Sequence, residues 1–141
     1  MTTAKKKVTS TGAKYIEGIG RRKTAIARVR MTPAGKNSMV INGKDAAEYF
    51  GPAKLAHTAL SPVTREGAEG KYEVSVKVLG GGISAQAEAI RHGLSRALVM
   101  ENAEIKGSLK SLGYLKRDSR EVERKHFGLK KARKASQWSK R

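Results

Sequence analysis

The C-terminal stretch constrains this chain most, because it cannot build a core. Residues 116–141 hold eleven Lys and Arg against three acids, a net charge of +8, and no acid follows Glu123. Apolar residues there are too sparse to bury one another, so the stretch should stand outside any globule as an extended tail ordered by a polyanion. The whole chain repeats the message, with 30 Lys and Arg against 12 Asp and Glu and a formal net charge of +18. Such a surplus repels itself and points to nucleic acid, an anionic membrane or acidic proteins as the partner. A contact with phosphates should weaken steeply as salt rises, through loss of counterion release.

What remains is enough for one modest core. Residues 1–14 are polar and without periodicity, and read as a flexible basic arm around Lys5, Lys6 and Lys7 rather than a secretory signal. The expected division is therefore 1–14 arm, 15–115 globular α/β domain and 116–141 tail. The absence of cysteine excludes disulfides and thiolate metal sites. No apolar run approaches the ~20 residues that a membrane-spanning helix needs.

Within the body, period-two alternation predicts one strand over residues 19–31, with Ala25, Ala27, Val29 and Met31 inward and Thr24, Arg28 and Arg30 outward. Pro33-Ala34-Gly35 turns the chain, residues 39–41 form a short strand, and Asn42-Gly43 makes a tight turn with positive φ. Asp45 followed by Glu48 looks like a helix start that Gly51 ends. Pro52 suits the opening of a second short helix closed by Pro62, with loop over residues 61–70. Tyr72, Val74, Val76 and Val78 mark the clearest strand, over residues 71–79. The run Gly80-Gly81-Gly82 breaks it, and Ile83, Ala87, Ile90, Leu94, Ala97 and Leu98 trace one face of the main helix. A shorter helix follows through Ile105, Leu109 and Leu112, stopped by Gly113.

Two glycine-bearing motifs suggest phosphate chemistry. Gly18-Ile19-Gly20-Arg21-Arg22-Lys23-Thr24 reads either as a phosphate clamp or as a solvated basic turn, and it lacks the spacing of a nucleotide-binding P-loop. Gly80-Gly81-Gly82 precedes a helix N-terminus, which suits a phosphate, or else merely permits a sharp turn. Arg91 and Arg96 read as solvated surface, and His57, His92 and His126 lack metal-type spacing. The scattered carboxylates are better explained as caps and ion-pair partners than as an acid–base couple, so no catalytic residue, metal site or cofactor is expected. In the tail, Arg can bridge phosphates and stack on bases, and Trp138 can stack on an unpaired base or sugar. From composition alone, a generic polycation that adheres to any polyanion is an equal reading of that tail.

Four blocks in register resemble the family of the ninth protein of the small ribosomal subunit. They are residues 18–29, residues 80–98, residues 117–125, and residues 128–134 together with Ser139-Lys140-Arg141. Their order is that of bacterial or organellar members, and the resemblance covers residues 16–141. It implies a two-layer α/β sandwich of the ribosomal S-five domain-two-like type, with a left-handed β-α-β crossover and a long extended basic tail. It further implies a structural, non-enzymatic role in translation, in the cytoplasmic or an organellar ribosome. The partners implied are the 3′ domain of small-subunit rRNA in the head, the P-site tRNA and neighbouring head proteins, with no membrane and no small-molecule substrate. Under this resemblance Arg21, Arg22, Lys23, Arg28, Arg30, Arg117, Arg120, Arg124, Lys125, Lys130, Lys131, Arg133 and Lys134 are expected to bind rRNA. Ser139, Lys140 and Arg141 are expected to bind the anticodon stem-loop of the tRNA, with Trp138 stacking beside them. Ala85, Glu88 and Ser136 depart from common residues of the family, and Glu88 makes direct phosphate contact at the main helix less favoured. Two rivals remain: a DNA-compacting or chaperone polycation, and a phosphate-handling enzyme that would need Glu88 as a metal-binding carboxylate near the glycines.

Overall fold

A computed structural model describes residues 15–65 and 70–140, so the arm at 1–14 and Arg141 lie outside the described residues. Its five-stranded sheet runs in the order β1-β2-β5-β3-β4. The strands are β1 (Ile16–Arg22), β2 (Ala25–Pro33), β3 (Ser38–Ile41), β4 (Lys44–Asp45) and β5 (Tyr72–Leu79), and the helices are α1 (Ala46–Phe50), α2 (Ala53–Arg65), α3 (Ile83–Glu101) and α4 (Lys106–Ser111). β1, β2 and β5 pair antiparallel, β3 joins β5 in parallel, and β4 returns antiparallel along β3.

Strand alternation places Ala25, Ala27, Val29 and Met31 of β2 and Tyr72, Val74, Val76 and Val78 of β5 on one buried face. Ala87, Ile90, Leu94, Ala97 and Leu98 of α3 cover that face, and Ala59 and Val63 of α2 extend the same core. The opposite sheet face carries Ile19, Ile26, Arg28, Val40, Lys77 and Leu79 into solvent. Two Asn side chains lengthen the short β3 ladder. Asn42 exchanges hydrogen bonds with Val78 N–H and C=O at 3.0 Å each, and Asn37 accepts from Tyr72 N–H at 2.9 Å.

Several sequence expectations need correction. Residues 19–31 are not one strand but parts of a β-hairpin, in which Arg22 pairs with Ala25 and Lys23 takes φ +50° at the turn. Pro62 does not close α2; it lies inside it, and residues 61–65 are helical rather than loop. Proline lacks the N–H that would bond Thr58 C=O four residues earlier, and Ser61 Oγ donates to that carbonyl instead, at 2.9 Å. Ile83 falls off the buried face of α3 and is 52% exposed. Elsewhere the local chemistry is as read. Asn42 and Gly43 take φ +50° and +85° at a two-residue turn, Asp45 caps α1 by accepting from Ala47 N–H, and Gly51 and Gly113 end α1 and α4 with positive φ.

Gly18 and Gly20 have a use that the motif reading did not give them. A Cβ at Gly20 would overlap the Ala89 carbonyl and the Gly93 amide, and one at Gly18 would overlap the Gly93 carbonyl and lie 2.9 Å from Ala97 N. Both glycines therefore face α3 and let β1 lie directly on its backbone. They are packing residues.

Candidate nucleic-acid interface

The β1–β2 hairpin ends in Arg21, Arg22, Lys23 and Thr24, and the tail leaves the body beside it. Arg22 joins the two. Its Nε donates to Glu88 at 2.6 Å, Nη1 donates to the Arg120 carbonyl at 2.6 Å, and Nη2 pairs with Asp118 at 3.2 Å. The side chain is only 12% exposed. A guanidinium has five N–H donors in a fixed fork, so one side chain can hold three acceptors on α3 and on two tail residues. Glu88 sits beyond the first turn of α3 and is occupied by Arg22, which removes the one carboxylate a metal site near the glycines would require. No His, Cys, Asp and Glu group suited to a metal occurs among the described residues.

Asp118 also accepts from the Arg120 guanidinium and backbone N–H, and these bonds, with the charges of Arg120 and Arg22, hold its carboxyl well below the usual carboxylate range. Behind the hairpin, His92 Nδ1 accepts from Arg21 N–H at 3.3 Å. Burial first, and then the nearby charge of Arg96, push the His92 pKa down. Arg96 donates to the Ile19 carbonyl at 2.7 Å, so it too helps to fasten β1 to α3. Gly80 and Gly81 take φ +74° and +67° and turn tightly past Thr24 and Ala25, which leaves turn geometry as their observed use.

On the open sheet face, Glu17 accepts from Arg28 at 2.8 and 3.1 Å and from Arg30 at 3.1 Å. These bonds lower the Glu17 pKa, Arg28 first. Arg30 also lies over the Tyr15 ring at 4.7 Å. One carboxylate thus fixes two cations side by side, each with further N–H donors left for another acceptor.

Residues 116–140 contain no helix or strand, and their ten Lys and Arg are all exposed. The segment is not uniformly extended: Arg133 pairs with Glu123 at 2.9 Å and Lys130 N–H donates to Lys134 C=O at 2.7 Å, folding residues 127–133 into turns. Trp138 is 85% exposed, as stacking would require. Phe127, fully exposed and among the same cations, offers a second ring that the sequence reading passed over. Its signal was present, since an aromatic in an acid-free cationic run has no core to enter.

The structure brings Arg21, Arg22, Lys23, Arg117 and Arg120 to one end of the molecule and sets Arg28 and Arg30 on the sheet face. Arg124, Lys125, Lys130, Lys131, Arg133, Lys134, Ser139 and Lys140 follow on the exposed tail. Arg22 differs from the others in holding the protein's own tail. Arg91 and Lys116, outside the expected set, join the cations at the tail root.

The family model described as ribosomal protein S9/S16 matches residues 20–141. A curated relative, the small ribosomal subunit protein uS9 of Cytophaga hutchinsonii, is 49% identical over 126 residues, or 89% of this chain and 98% of that relative. An exposed cationic surface on a small α/β body agrees with that match. The chain belongs to the ribosomal protein S9/S16 family, and it is a structural, non-enzymatic component of the small ribosomal subunit.

Proposed function

We propose that this chain binds the rRNA of the small-subunit head, in its 3′ domain, and that Ser139, Lys140 and Arg141 meet the anticodon stem-loop of the P-site tRNA. The observation that carries this reading is the exposure of every described cation in 116–140 on a segment without regular structure, rooted to the body by Arg22. Such a segment fits between RNA helices where a globule cannot, and neutralises phosphates that would otherwise repel one another. In this division residues 15–115 form the anchoring domain, residues 116–141 the tail and residues 1–14 an arm without an assigned role. Arg21, Lys23, Arg28 and Arg30 bind rRNA from the body, and Arg117 to Lys134 from the tail. Trp138 stacks near the tRNA. The body is of the S-five domain-two-like type, its left-handed crossover running from β3 through α1 and α2 to β5; the parallel pairing of β3 with β5 supports a crossover there. The site of action is the ribosome of the cytoplasm, beside other head proteins.

Deleting residues 139–141 tests the tRNA contact. Small subunits reconstituted with the truncated chain should bind P-site tRNA about tenfold more weakly, the loss of one or two charge-assisted contacts. The unfolding midpoint of the free protein should not change. Unaltered tRNA affinity would remove that role. Equal affinity of the full chain for duplex DNA and for head-domain rRNA at matched salt would replace the whole reading with a general polycation.

A further inference from the structure

Where the tail leaves the body it bends round a half-open recess of about 430 Å³. Its wall is Arg91 from α3, Gly113 after α4, and Lys116, Arg117, Asp118, Ser119 and Arg120 from the tail root. Four of these seven residues are cations, and the single carboxylate is already engaged by Arg22 and Arg120. The Arg91 guanidinium lies over the Tyr114 ring at 5.0 Å, and its buried Nε has no acceptor among the described residues. Lys116 and Arg117 are exposed and have no ion-pair partner among the described residues. The recess therefore gathers hydrogen-bond donors in excess of its acceptors, an arrangement that suits a tetrahedral oxyanion. Its open side suits a strand that passes through rather than a small molecule that must be enclosed.

We propose that this recess seats one phosphodiester group of an RNA backbone passing beneath the tail root, with Arg91 and Lys116 as ligands beside Arg117 and Ser119. The inference rests on the rRNA-binding reading and gives it one defined contact. The Arg22 bonds to Asp118 and to the Arg120 carbonyl hold the wall in place before RNA arrives, so little ordering remains to be done on binding.

The test is phosphate-ethylation interference with the full-length chain on a head-domain rRNA fragment, with affinities measured in parallel. Arg91→Gln and Lys116→Gln should each weaken binding about five- to tenfold, as loss of a charge-assisted contact predicts. Both should erase interference at one and the same phosphate. Lys130→Gln should leave that phosphate sensitive. Because Arg91 also packs on Tyr114, Lys116→Gln carries the result if Arg91→Gln fails to fold. Wild-type affinity and an unchanged interference pattern in Lys116→Gln would overturn the seat while rRNA binding stands. Absence of rRNA binding by the wild-type chain would overturn both.

Discussion

Arg22 stands in a run of three cations that reads as an RNA-facing cluster, yet it alone of the three turns back into the protein. Its acceptors lie 66 and 98 residues away, at Glu88 and the Arg120 carbonyl, and pairings at that distance leave no periodic trace. Replacing it by Met leaves the partly buried Glu88 carboxylate without its cation, while Asp118 keeps Arg120. The Arg22→Met protein should lose about 2 kcal/mol of stability in urea unfolding, whereas Lys23→Met, at the exposed turn, should lose almost none. His92 supplies a separate test. Its folded pKa lies below the ordinary 6.5, mainly because it is buried, so the unfolded chain takes up the proton first as pH falls. The stability it confers is complete above 6.5 and is lost as pH drops from there toward the lower folded value. Unfolding midpoints should therefore fall as pH drops below 6.5, and His92→Gln should flatten that part of the profile. The depressed Glu17 and Asp118 act below their ordinary values of 4.5 and 3.8.

At the scale of the element, β5 was legible because burial there is carried by large side chains in strict period, and the body of α3 because Ile90, Leu94 and Leu98 mark its buried face. β1 was not, because its inward residues are Gly18 and Gly20, which leave no apolar mark. The β1–β2 turn was hidden as well, since Lys23 takes the positive φ that sequence reasoning assigns to Gly or Asn. Pro62 misled for a similar reason: its helix-breaking effect is offset by a serine hydroxyl one residue before it. The strand–helix contact makes a sharp prediction. Gly20→Ala places a methyl into backbone atoms of α3, which cannot move as a side-chain tip can. It should cost about 3 kcal/mol or more by denaturant unfolding. Gly35→Ala, with open space around it, should be nearly neutral in the same measurement.

Across the whole molecule, charge was the most legible property, since it needs no fold to be read. The sequence located the cationic tail but not its attachment, which depends on distant acceptors, nor the recess that the attachment shapes. Removing residues 116–141 should leave a folded body that still binds rRNA weakly. The slope of log affinity against log salt should become shallower by on the order of 5, if most of the eleven tail cations meet phosphates. An unchanged slope would show that the tail is a bystander.

Fixing Arg120 to the hairpin turns the stretch beyond it into a tether with a known origin. Residues 121–141 can reach at most ~70 Å from that point. Under the proposed rRNA and tRNA reading, a docked body confines the search of the tip to a bounded sphere, at an effective concentration on the order of millimolar, instead of bulk solution. Finding the distant target then becomes an intramolecular event, and the address of the tip is written by where the body lands.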